Sequence, residues 1–346
     1  LRRASWQAIT GAEAINIEEI WVEKYRPRKL DQVVGQDYVI RGLESYVKLK
    51  NLPHLMFVGP AGTGKTSAAI ALARALYGDN WRSNFTELNA SDERGIEVVR
   101  NKIKNFARTA PIAAPFKIIF LDEADSLTPD AQSALRRTME SFSMSCRFVL
   151  SCNYSNKIIE PIQSRCAVYR FTPIAPADMI AQLRQIAEKE RVIITETALQ
   201  AIGYVADGDL RRAVNTLQSA AFVKTEIKKE TVYQVAAVVD PRTIKELLKA
   251  SIEGELTRAL SLLDSILAEQ GFSGTEVIAQ IHKSVLDLDV ADELKVQFIN
   301  SIGEIDFRLS EGANERIQLE ALIADFMLLS RGKNALWRAS PRELCL

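Results

Sequence analysis

Gly59-Pro60-Ala61-Gly62-Thr63-Gly64-Lys65-Thr66-Ser67 is the stretch that decides the fold. It stands between an apolar run, Leu55-Met56-Phe57-Val58, and Ser67–Leu76, an alanine- and leucine-rich segment that favours helix. The pattern G-x-x-x-x-G-K-T between a strand and a helix is a phosphate-binding loop. Its glycines let the backbone curl so that successive N–H groups point inward at phosphate oxygens. The helix that follows adds unpaired N–H groups and its positive dipole end. Lys65 is then placed to reach β- and γ-phosphates, and the Thr66 hydroxyl to hold Mg²⁺. Gly59, Pro60, Ala61, Gly62, Thr63, Gly64, Lys65, Thr66 and Ser67 form the expected nucleotide cradle.

Around this loop, apolar segments alternate with helical ones. Strands are expected at His54–Val58, Phe85–Asn89, Lys117–Leu121, Arg147–Ser151 and Val168–Phe171. Helices are expected at Asp37–Lys50, Ser67–Tyr77, Gly95–Thr109, Pro129–Ser141 and Ile159–Arg165. Such alternation predicts an α/β domain, a five-stranded parallel sheet with flanking helices. From Pro176 onward only helical periodicity is found, with no further strand. Asp240-Pro241 reads as a break within it. The expected organisation is an α/β nucleotide-binding domain over 17–173, a small helical lid over 174–238 and an all-α C-terminal domain over 239–332. Residues 333–346 read as a tail. Residues 1–16, with Arg2-Arg3-Ala4-Ser5 like a kinase recognition sequence, read as an appended tag or flexible tail.

Ile118-Ile119-Phe120-Leu121-Asp122-Glu123 is an apolar strand ending in two acids, at the sheet edge that faces the loop. Asp122 suits a water-mediated Mg²⁺ ligand, and Glu123 a base for the attacking water. Asn153, at the end of Ser151-Cys152-Asn153, can contact the γ-phosphate and that water. Arg165, in Ser164-Arg165-Cys166, lies too far along the fold to serve its own nucleotide; it is either a surface arginine or one that points into a neighbour's site. Arg211 sits at a helix start, where the dipole disfavours it, and can reach the γ-phosphate from the lid. Trp21–Pro27 and Leu30–Gln36, including Val22, Tyr25, Arg26 and Val34, either fold over the adenine ring or pack on the core. Asp122-Glu123-Ala124-Asp125 also spells the tetrapeptide of the DEAD-box helicases, but those need a second α/β half, and only helices follow here.

Composition narrows the class. The 346 residues exceed one typical core, so two or three domains are expected. Lys and Arg total 44, as do Asp and Glu, so the net charge of zero excludes a whole-molecule basic field. No apolar run reaches the ~18 residues of a membrane span. Cys146, Cys152, Cys166 and Cys345, with His54 and His282, lack zinc-ligand spacing and read as reduced intracellular thiols.

The loop, Asp122-Glu123, Ser151-Cys152-Asn153, Ser164-Arg165-Cys166 and Gly208-Asp209-Leu210-Arg211 occur in the order of AAA+ ATPases of the clamp-loader clade. The chain resembles the replication factor C small subunits in particular, archaeal type, through Trp21–Pro27, Asn89–Ile96, Leu135–Glu140 and Glu304–Asn314. The resemblance covers about Ile17 to Arg331. It implies ATP and Mg²⁺ as cofactors, with Lys65, Thr66, Asp122, Glu123, Asn153 and Arg211 acting in cis and Arg165 in trans. It implies a five-subunit spiral of small subunits and one large subunit, joined through a C-terminal collar. That assembly would open a sliding clamp and load it onto primer–template DNA in the cytoplasm, or in the nucleus of a eukaryote. Arg94, Arg100 and Lys104 form either a solvated helix face or a phosphate-tracking DNA patch. The competing readings are another AAA+ DNA-remodelling motor, such as a branch-migration helicase, and a non-hydrolysing scaffold subunit. Lys65 and Glu123 speak against the second.

Overall fold

The computed structural model describes residues 20–332, apart from 93, 94, 96, 98 and the side chains of 99 and 100. The described chain forms two compact units that meet at Lys229/Glu230.

The first unit is built on a parallel sheet in the order β2-β3-β4-β1-β5. Its strands are β1 (His54–Val58), β2 (Phe85–Asn89), β3 (Lys117–Asp122), β4 (Cys146–Cys152) and β5 (Cys166–Arg170). The apolar runs are continuous because both faces of the sheet are covered. After the single turn α1 (Trp21–Lys24) come α2 (Asp37–Leu49) and, beyond β1, α3 (Lys65–Tyr77); along β1, Leu55 and Phe57 enter the core beneath α2 and α3. Met56 and Val58 enter the opposite core, with Leu135 and Met139 of a later helix. That strict alternation fixes the strand's register. The strand ends of β1, β3 and β4 share one edge: Val58 lies beside Cys152, and Leu121 beside Leu150.

After α4 (Trp81–Asn84) and β2, one continuous helix over Gly95–Thr109 was expected. The chain instead makes a π-helical turn at Val99–Ile103 before the short α5 (Lys104–Arg108). The helix after β3, α6 (Pro129–Ser141), keeps the expected bounds because Thr128 caps it, accepting from the Ala131 N–H at 3.3 Å, with Pro129 in its first turn. Next, α7 (Glu160–Gln163) is a single turn before β5.

The lid follows as α8 (Pro176–Lys189), α9 (Glu196–Ala206) and α10 (Leu210–Val223). It departs from the all-helical expectation: β6 (Ile193–Ile194) and β7 (Glu226–Ile227) pair in parallel. Strands of two residues are too short to leave an alternating pattern in the sequence.

The second unit begins one residue into α11 (Lys229–Ala236). It comprises α12 (Pro241–Glu253), α13 (Leu256–Asp264), α14 (Gly274–Leu286), α15 (Asp292–Ser310) and α16 (Glu315–Ser330). A π-helical turn, Ser265–Glu269, follows α13 directly. Its core centres on Phe298 and Phe326, whose rings lie 4.2 Å apart. No described helix is long and apolar enough to cross a membrane.

Candidate nucleotide-binding site

The first unit carries a cleft of about 1050 Å³, open to solvent, at the carboxyl ends of its strands. Ala61 to Ser67 form its floor. Asp122, Glu123 and Asn153 line one side, Val22, Tyr25, Arg26 and Val34 another, and Arg211 reaches it from the lid. Gly59 and Pro60 act one step back, through their carbonyls.

The loop's geometry follows from its glycines. Gly62 takes φ +68°, and a Cβ there would lie 1.7 Å from Asp209 Oδ1 of the lid. Gly64, at φ +98°, precedes α3 and offers no side chain to cap it, so the helix N-terminus faces the cleft with its N–H groups free of a side-chain cap. Lys65 is buried, and its ammonium donates to the carbonyls of Gly59 at 2.6 Å and Pro60 at 2.7 Å and to Asn153 Oδ1 at 3.2 Å. Burial lowers its pKa, while Asp122, Cys152 and Asp125 push it back up.

Thr66 Oγ1 donates to Asp122 Oδ2 at 2.8 Å. A hydroxyl and a carboxylate in contact beside a phosphate cradle suit a hard divalent cation that completes its shell with phosphate oxygens and water. Among the described residues no group of three or more His, Cys, Asp or Glu is placed to hold a metal ion.

Glu123 follows at φ +51°, a left-handed backbone that non-glycine residues seldom adopt. The turn carries it off the strand axis, and its side chain is exposed at the cleft. Asp125 accepts the Tyr154 N–H at 3.3 Å, tying the ends of β3 and β4 together. The fourth residue of the acidic tetrapeptide is thus a structural tie.

The lid closes directly on the loop. Asp209 caps α10, accepting the Arg212 N–H at 2.9 Å, and the Leu210 N–H donates to the Gly62 carbonyl at 3.2 Å. Arg211 is held between these contacts.

Several contributors left no distinctive mark in the sequence. Buried Gln36 donates to the Thr172 carbonyl at 2.8 Å and the Thr63 carbonyl at 3.4 Å, clamping the loop to the chain beyond β5. The N-terminal segment both packs on the core and lines the cleft. Trp21 is fully buried, with its backbone N–H on Gln218 of α10 at 3.1 Å, while Val22 and Tyr25 line the cleft. The Tyr25 hydroxyl and Lys24 both engage Glu190, so this segment is pinned to the lid. Gln182 and Ile186 of α8 and Val214 of α10 complete the apolar end. Glu87 on β2 is held above the usual carboxylate range by burial and by Asp122, against the pull of Arg26.

Arg165 does not line the cleft. It pairs with Glu140 on α6 at 2.6 Å, on the outer surface. Arg94 and the side chain of Arg100 lie outside the described residues, as do 1–16 and 333–346; Lys104 is exposed at the start of α5.

Comparison with known proteins gives three consecutive family matches. Residues 55–174 match the ATPase family associated with various cellular activities (AAA). Residues 181–222 match the RCF1/5-like AAA+ ATPase lid domain, and residues 239–325 the replication factor C C-terminal domain. The replication factor C small subunit of Archaeoglobus fulgidus is 58% identical over 314 residues, 90% of this chain and 98% of that protein. That of Methanocella arvoryzae is 55% identical over 312 residues, 90% and 97% of the two chains. Among solved structures, the Thermotoga maritima RuvB Holliday junction branch migration motor superposes with a TM-score of 0.52 at 19% identity, over 72% of this chain and 92% of that one. At that identity the likeness is one of fold alone.

Proposed function

The chain belongs to the replication factor C small subunits, AAA+ ATPases of the clamp loader, and from that premise we propose how its cleft works and what it serves. The nucleotide is ATP. Its triphosphate lies over Ala61–Thr66, with the base at the apolar end between Val22, Tyr25, Val34 and the lid. Lys65 leaves the loop carbonyls for the phosphate oxygens, an exchange of neutral acceptors for charged ones. Thr66 and Asp122 hold Mg²⁺, which when bound neutralises charge on the β- and γ-phosphates. Glu123 takes a proton from the attacking water while Asn153 orients it. Arg211 binds the γ-phosphate from the lid, so bond cleavage there frees the lid from the loop. Arg165 of a neighbouring copy supplies the cation that stabilises the transferring phosphoryl group.

The observation that carries this reading is the meeting of Lys65, Thr66, Asp122 and Asn153 through direct hydrogen bonds at one sheet edge. Around it the domains are proposed at 17–173, 174–238 and 239–332, the last as a collar joining small subunits and one large subunit into a five-membered spiral. Its cargo is a sliding clamp, placed on primer–template DNA held through phosphates by Arg94, Arg100 and Lys104, in the cytoplasm. Helices alone make up the described part of the second unit beyond Glu230, which supports the collar over the motor of a branch-migration helicase. The test is ATP turnover by the assembly, with clamp and primed DNA, for wild type and Arg165→Ala. Loss of turnover with nucleotide binding retained is expected; wild-type turnover in Arg165→Ala would overturn the reading.

A further inference from the structure

Arg165 is presented by a mount built on α6. Gln132, 3% exposed, donates to the carbonyls of Leu127 at 3.2 Å and Lys157 at 2.9 Å and accepts the Ile159 N–H at 2.8 Å. It fastens the approach to α7 onto α6. Further along α6, Glu140 Oε1 meets Arg165 Nη2 at 2.6 Å, and Arg165 Nη1 donates to the Pro161 carbonyl at 2.6 Å.

A guanidinium is a planar fork of five N–H donors. Anchoring its two terminal nitrogens on different elements fixes the orientation of that plane, and two acceptors leave N–H groups of the fork over for a further one. The Arg165 and Glu140 side chains are 37% and 42% exposed. Ion pairs of that exposure contribute little to stability. A long arginine held in one pose at the surface has therefore been ordered for something other than the fold.

Resting on the reading that Arg165 acts in trans, we propose that Glu140 is its positioning residue: it aims the guanidinium at the nucleotide of the neighbouring subunit. Glu140 does not touch that nucleotide. It holds Arg165 in the reactive pose before the subunits meet, so the ordering cost is met outside the transition state.

The experiment uses mixed assemblies in which wild-type chains are a small minority among Lys65→Ala chains, so that nearly every wild-type site faces a Lys65→Ala neighbour, with clamp and primed DNA. The Lys65→Ala chains hydrolyse nothing themselves, so a second substitution on them is read only through the wild-type neighbour. Adding Glu140→Gln to the Lys65→Ala chain is expected to lower turnover about tenfold to a hundredfold against the Lys65→Ala mixture. KM and the melting temperature of the chain should stay within error. Unchanged turnover, while Arg165→Ala in the same position abolishes it, would overturn the role of Glu140 alone. Raised turnover would also overturn it, since the carboxylate would then be a restraint. If Arg165→Ala too left turnover unchanged, the trans-arginine reading itself would fall.

Discussion

The Thr66 hydroxyl donates to Asp122 Oδ2 across 2.8 Å, joining the first turn of α3 to the end of β3. One hydrogen bond from Thr66 thus sets the phosphate loop against the acidic strand. Asp122→Asn keeps the size and one oxygen of the side chain but removes its charge. ATP turnover should fall by about a hundredfold, the scale on which removal of one electrostatic partner of a reacting centre acts. The Mg²⁺ midpoint should rise, and chelation should stop wild-type turnover. Steady-state rates across a Mg²⁺ titration decide this; a variant reaching the wild-type rate at high Mg²⁺ would show that Asp122 sets affinity only.

Gly62 and Gly271 share a left-handed φ, +68° and +73°, but not their surroundings. A Cβ at Gly62 collides with Asp209, whereas one at Gly271 meets nothing within 4 Å. Gly271→Ala should therefore cost only backbone strain, about 1–2 kcal/mol. Gly62→Ala adds displacement of Asp209 and of the Leu210–Gly62 hydrogen bond, and should weaken nucleotide binding at least about tenfold. Thermal melts and nucleotide titrations of both variants separate strain from loss of the lid contact. Equal nucleotide affinities would show that the lid contact is dispensable for binding.

How much of this could be read beforehand depended on the range of the interaction. The phosphate loop and β1 declare themselves because glycine spacing and an apolar run are local, and α6 because Thr128 and Pro129 mark its start. Gln36, Gln182 and Glu140 did not, because a polar residue in an amphipathic segment does not state its partner. Glu140 and Arg165 are 25 positions apart (165 − 140) and meet only through the packing of α6 on α7. Trp21 could not be assigned between core and cofactor because its aromatic neighbours suit both, and it is the lid glutamine Gln218 that anchors it. The interruption at Val99–Ile103 escaped because a π-helical turn keeps helical composition while shifting the phase of its side chains.

His54 opens β1, and its Nδ1 accepts the Phe148 N–H at 3.1 Å. Burial, helped by Arg147, lowers its pKa to about 4 from 6.5. The folded protein therefore keeps this ring neutral where the unfolded chain would protonate it. Its contribution is fully present above pH 6.5 and is lost as the pH falls from 6.5 towards 4, because the unfolded state binds more protons there. The loss is on the order of 3 kcal/mol. Melting temperatures between pH 7 and 4.5 should fall for wild type and fall less steeply for His54→Gln, which retains an acceptor. Parallel slopes would place the acid sensitivity elsewhere.

Lys104 stands exposed at the head of α5, directly after the π-helical turn, with exposed Lys102 two residues before it. Arg100 precedes it by four positions in sequence. With a net charge of zero, the whole molecule has no field to attract a polyanion, so DNA affinity must come from such local cations. Each phosphate neutralised releases counterions, and binding then weakens linearly with the logarithm of salt concentration, by a slope of about 0.9 per contact. Replacing Arg100 and Lys104 together with Ala should lower DNA-stimulated turnover and flatten that slope by about two contacts. Nucleotide affinity and turnover without DNA should be unchanged, because Lys104 does not line the cleft and Arg100 belongs to none of the nucleotide-binding motifs in the sequence. Stimulation at the wild-type level, with an unaltered salt slope, would move the DNA contact to another face.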